Sequence, residues 1–82
     1  MKNGFLKYHV STQRYHFWSS DPRGRFYPVI PLHCGDTLEV KINGKWIATC
    51  LEASWGKIEP DAYYLEGTHL HGWALDGLEA RM

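Results

Sequence analysis

Thr37-Leu38-Glu39-Val40-Lys41-Ile42-Asn43-Gly44-Lys45-Trp46-Ile47-Ala48-Thr49-Cys50-Leu51-Glu52-Ala53 is the stretch that decides the fold. Its first six residues alternate strictly. Leu38, Val40 and Ile42 share one face, while Thr37, Glu39 and Lys41 share the other, as a half-buried strand requires. Asn43-Gly44 follows at once. This is the preferred pair for a type I′ hairpin turn, because both central residues need positive φ. The returning segment 45–53 also fits helical spacing through Ile47, Cys50 and Leu51, and its Ala, Leu and Glu favour helix. A hairpin turn needs a partner strand, so the segment is read as one. Ile47, Thr49 and Leu51 then face inward, and Trp46, Cys50 and Glu52 face outward.

Working outward, Phe5 to Val10 alternates with Leu6, Tyr8 and Val10 on one face, and 14–18 alternates with Tyr15 and Phe17 together. The polar Ser11-Thr12-Gln13 between them makes a second hairpin. Residues 19–36 carry turn chemistry in Ser19-Ser20-Asp21-Pro22-Arg23-Gly24. Pro28 and Pro31 then bracket Val29-Ile30, and each lacks an N–H, so this stretch reads as a loop or an edge. Beyond the central hairpin, 54–61 is a loop, Tyr63 to Glu66 a short strand, 67–77 irregular with a helical turn near Trp73-Ala74-Leu75, and 78–81 a final strand. The pattern is about six short strands with no long helix, which predicts a small all-β barrel as a single domain over 1–82.

The chain has 82 residues, 9 Lys+Arg against 9 Asp+Glu, 44% hydrophobic and 15% aromatic residues. These fractions exclude a disordered, collagen-like or coiled-coil chain. The charge balance disfavours bulk electrostatic binding to nucleic acid or to an anionic membrane. No apolar run approaches a membrane span, and no apolar stretch follows Lys2 as in a secretory signal, so the expectation is a cytoplasmic protein with reduced Cys34 and Cys50. No cofactor is implied.

Two resemblances follow from these residues. Cys34-Gly35-Asp36-Thr37-Leu38-Glu39-Val40 resembles the Gly-Asp turn-plus-strand of SH3-like barrels, and Trp46-Ile47-Ala48 is similar to the Trp-x-Ala of the strand that follows it. The Ala-Leu-Tyr-Asp-Tyr segment, acidic first loop, paired Trp-Trp and Pro-x-x-Tyr of SH3 domains are absent, so the usual polyproline recognition is not implied. More of the chain resembles a family of short Firmicute proteins catalogued only as a domain of unknown function, many encoded on mobile elements. The residues are Arg14-Tyr15, Leu32-His33-Cys34-Gly35-Asp36, Leu38-Glu39-Val40, Gly44-Lys45-Trp46-Ile47-Ala48-Thr49, Leu51-Glu52, Tyr63-Tyr64-Leu65 and Leu75-x-Gly77-Leu78-x-x-Arg81. This resemblance implies a bacterial, cytoplasmic setting and supplies no mechanism.

Chemistry-bearing residues are sparse. On a strand, His69 and His71 would project to one face about 7 Å apart, a spacing that suits zinc. Without further ligands at fixed spacings they read as solvated or capping groups, and no metal is expected. Cys34 beside His33 reads as a small packing residue at a turn, since a working Cys–His pair is placed by the fold and not by adjacency. Asp36, Glu39, Glu52, Glu59, Glu66 and Asp76 are scattered, with no pair set up for acid–base work.

The surplus lies in the aromatics. Trp18, Trp46 and Tyr64 fall on outward faces and Trp55 in a loop, and such residues give large contact area at low entropy cost. The chain therefore reads as a non-enzymatic module that binds a protein or peptide through Trp18, Trp46, Trp55 and Tyr64, with Arg23 and Arg25 at the rim. The alternative is single-stranded nucleic acid, gripped by Arg14, Arg23 and Arg25 with the aromatics. A third reading is a structural homo-oligomer whose outward aromatics are buried between copies.

Overall fold

The computed structural model describes residues 2–20, 26–58 and 60–82. Among these residues eight strands run in order: β1 (Asn3–His9), β2 (Arg14–Ser20), β3 (Phe26–Pro31), β4 (Thr37–Ile42), β5 (Lys45–Ala53), β6 (Tyr63–Leu65), β7 (Leu70–His71) and β8 (Glu79–Arg81), with one 3₁₀ turn at Gly72–Leu75 before β8. They form one sheet in the order β3-β2-β1-β8-β4-β5-β6-β7. Every neighbouring pair is antiparallel.

The class is all-β, as the alternation predicts. The expected closed barrel of about six strands is corrected to an open sheet of eight, whose edges are β3 and β7. Closure would need those two to pair. β3 carries Pro28 and Pro31, which cannot donate, and β7 has two residues. Short or proline-bearing edges protect a sheet without closing it. Of the two readings of the proline-bearing stretch, loop or edge, the edge holds, since an edge strand needs only one side of its backbone. It pairs Phe17 with Ile30 and Trp18 with Pro28, leaving Val29 as an extra residue at a bulge. β7 was hidden by its length. Thr68 sets its start, its Oγ1 donating to Leu65 O at 2.7 Å and accepting from Leu70 N at 3.1 Å.

The central hairpin matches its reading. Asn43 and Gly44 have φ of 52° and 79°, and 45–53 is a strand throughout. Leu38, Val40 and Leu51 are buried, together with Leu6, Tyr15, Phe17, Tyr63, Leu65 and Leu75. Two inward assignments differ. Val10 sits in the β1–β2 turn and is 74% exposed, and Ile47 is 37% exposed. The core lies on one face of the sheet, and the 3₁₀ turn closes over it with Leu75. Tyr15 fixes that turn, its hydroxyl donating to Gly72 O at 2.6 Å. β8 holds the two halves together, since it lies between β1 and β4.

Candidate functional site

The opposite face follows from strand parity. Register places Phe5 beside Trp18, Lys7 beside His16 and His9 beside Arg14. It places Glu39 beside both Arg81 and Ala48, Lys41 beside Trp46, and Tyr64 beside both Glu52 and His71. The outward parity assigned to Trp18, Trp46 and Tyr64 thus puts all three on one sheet face.

Their surroundings differ. Trp18 is half-buried and stacks on Phe5 at 6.4 Å between centroids; its Nε1 has no hydrogen-bond partner among the described residues. Trp46 is half-buried under Arg81, whose Nε donates to Glu39, and near Lys41, which pairs with Glu79 at 3.7 Å. Arg14 donates to Leu32 O at 3.0 Å, and Lys7 pairs with Asp76 at 3.5 Å. His16 is buried against the His9 ring, 5.1 Å away, and burial lowers its pKa. Arg23 and Arg25 lie outside the described residues.

Beside β6 and β7 the loop after β5 forms an open cleft of about 380 Å³, lined by Ser54, Lys57, Asp61, Tyr64, Leu65, Gly67, His69, Leu70 and His71. A second hollow continues it past Gly56 and Ile58. Local chemistry builds the loop. Ser54 N donates to Ala62 O at 2.7 Å and Tyr63 N to Pro60 O at 2.9 Å, tying both ends. Between them Trp55 is 100% and Ile58 83% exposed. Trp73, also exposed, is anchored edge-on to Tyr8 at 5.3 Å.

The structure therefore gathers Tyr64, His69 and His71 at one cleft, leaves Trp55 outside its lining although the neighbouring Ser54 is part of it, and leaves Trp18 and Trp46 elsewhere on the sheet. The strand geometry expected for the two histidines is corrected. His71 is in β7, but His69 lies in the preceding turn with φ of 63°, so they do not share a strand face. Cys34, expected to pack, is exposed. Lys57, Ile58 and Asp61 were missed as site residues. The available signal was Trp55-Gly56-Lys57-Ile58, two large apolar residues in a glycine-broken loop with no strand to bury them.

Among the described residues, only Cys50, Glu52 and Glu66 bring three potential ligand atoms within 4.8 Å of one another. The Cys50 thiol donates there to Glu66 at 3.3 Å and Glu52 at 3.7 Å. The hydrogen bond to Glu66 is the main cause of its raised pKa, followed by burial.

Fold and surface define a small antiparallel β-sheet protein with one packed face and one aromatic, charged face. Residues 4–82 match the family described as "Domain of unknown function (DUF5348)", and the chain belongs to that family. Its fold is similar to the crystal structure of a protein from Ruminococcus gnavus determined by structural genomics, with 33% identity, a TM-score of 0.67, and coverage of 99% of this chain and 100% of that one. No curated protein matches the chain. No helix among the described residues is long and apolar enough to cross a membrane.

Proposed function

We propose that the chain is a non-enzymatic module that binds an extended, partly apolar segment of another protein in the cleft between the 54–61 loop and the β6–β7 hairpin. The observation that carries this reading is the exposure of Trp55 and Ile58, 100% and 83%, in a loop whose Ser54, Lys57 and Ile58 line an open cleft and its continuation. Exposed Trp and Ile in one short loop gain by covering, and an aromatic anchor flanked by polar groups is the usual composition of a binding hot spot. Trp55 and Ile58 would supply apolar contact. Tyr64, Lys57, Asp61 and His71 would orient the segment. Arg23, Arg25, Trp18 and Trp46 would extend the surface, and the setting would be the bacterial cytoplasm.

A photo-crosslinker at position 57 tests this in cells. It should capture a defined partner that a crosslinker at Val10 does not. Trp55→Ala should remove that capture with no change in melting temperature, since the side chain packs on nothing. Unchanged capture in Trp55→Ala and Ile58→Ser would overturn the reading.

One arrangement favours single-stranded nucleic acid as a second reading. The Phe5–Trp18 stack adjoins Lys7, His9 and Arg14 on the same face. Stacking platforms beside basic groups grip single strands, with steep salt dependence. Absence of oligonucleotide binding at low salt would remove it.

A further inference from the structure

Among the described residues, Lys45 to Ala48 form a length of β5 with a partner strand on one side only. β5 pairs with β4 from Lys45 to Cys50, but with β6 only from Leu51 to Ala53. The nearest bond on that second side is Glu66 N donating to Cys50 O at 3.1 Å. The two-residue turn fixes which backbone groups are engaged. Flanking residues Ile42 and Lys45 exchange both bonds, and the exchange recurs at every second residue. Lys45, Ile47 and Thr49 therefore turn their N–H and C=O groups toward β4. Trp46 and Ala48 turn theirs away, toward the open side. The other edges are guarded by prolines in β3 and by brevity in β7, whereas this one has no proline and a single lysine.

We propose that this edge pairs antiparallel with the same edge of a second copy, about a two-fold axis at Ile47. Trp46 then exchanges backbone bonds with the partner's Ala48, the two Ile47 side chains meet, and Lys45 faces the partner's Thr49. The edge is complementary to itself. The large indole of each copy lies across from a methyl group. That methyl borders an open hollow of about 500 Å³ lined also by Thr37, Leu38, Glu39, Thr49, Arg81 and Met82, which gives the partner's Trp46 room. Ile47, 37% exposed, gains an apolar neighbour. No like charges come opposite one another, and the formal net charge of zero sets up no long-range repulsion. Glu66 ends the free edge at Cys50, so the contact is short and the dimer concentration-dependent. It shares only Trp46 with the wider proposed surface and uses no residue of the 54–71 cleft, so it stands or falls apart from binding in that cleft.

Sedimentation of the full chain from roughly 1 µM to 1 mM should show a monomer passing into a dimer. In a Cys34→Ser, Cys50→Ser background, Ile47→Cys should oxidise to a covalent dimer. The facing residues form a non-hydrogen-bonded pair with Cα atoms about 4.5 Å apart, within disulfide reach. Lys45→Cys, which faces Thr49, should not. Ala48→Pro removes an outward N–H while sparing the β4 ladder, and should weaken the dimer at least about tenfold. If that variant does not fold, Ile47→Lys, which sets like charges across the axis at an exposed position, makes the same decision. A monomer at every concentration, equal oxidation of the two cysteine variants, or an unweakened dimer in a folded Ala48→Pro or Ile47→Lys chain would overturn the proposal.

Discussion

The Arg81 guanidinium carbon lies 4.2 Å from the centroid of the Trp46 ring, and the same side chain donates through Nε to Glu39 Oε1 at 2.6 Å. One arginine thus links β8 to both strands of the central hairpin. A partly exposed cation–π contact contributes about 0.5–1 kcal/mol, and a partly exposed ion pair a similar amount. Arg81→Ala is expected to lower stability by about 1–2 kcal/mol in urea denaturation. Arg81→Lys should recover only part, because an ammonium cannot stack flat on the indole.

Tyr15 carries a second prediction. Tyr15→Phe leaves the Gly72 carbonyl without its donor in a buried place, at a cost of about 1–2 kcal/mol. Burial, then Asp76, then Tyr8, raise the Tyr15 pKa above its ordinary value of 10.0. The folded chain therefore holds that proton more tightly than the unfolded chain does. Its contribution is complete below pH 10 and is lost as pH rises beyond it. Alkaline melts should show wild-type stability falling above about pH 10 and a shallower fall in Tyr15→Phe.

Gly4 is required by close approach of two backbones. A Cβ there would run into the Trp18 carbonyl and stand 2.8 Å from Ser19 Cα. Backbone cannot yield as a flexible side chain can, so Gly4→Ala should cost at least about 2 kcal/mol, read as a shift of the denaturation midpoint.

The two thiols should differ in reactivity. Cys50 has a raised pKa beside Glu66, and Cys34 is exposed. Because the thiolate is the nucleophile, iodoacetamide at neutral pH should label Cys34 first by peptide mass spectrometry. Glu66→Gln should speed labelling of Cys50.

The central hairpin was legible because alternation and Asn43-Gly44 are local signals. β3 was legible only as a loop or an edge, because what makes it a strand is pairing with β2 across the chain, and its prolines bar only an interior place. Openness of the sheet was illegible, since closure depends on two edges far apart in sequence. On the surface, parity placed Trp18, Trp46 and Tyr64 correctly, yet their partners Phe5 and Arg81 come from other strands. The cleft needed both the 54–61 loop and the β6–β7 turn, neither of which has a periodic signature.

Strand β8 lies between β1 and β4 in the sheet order, and among the described residues it is the only strand joining the β1–β3 side to the β4–β7 side. During synthesis each side can form its hairpins as it leaves the ribosome. Their strands cannot pair into one sheet until residues 79–81 have emerged. Until then both carry an unsatisfied strand edge, and backbone pairing across the whole sheet waits on three residues.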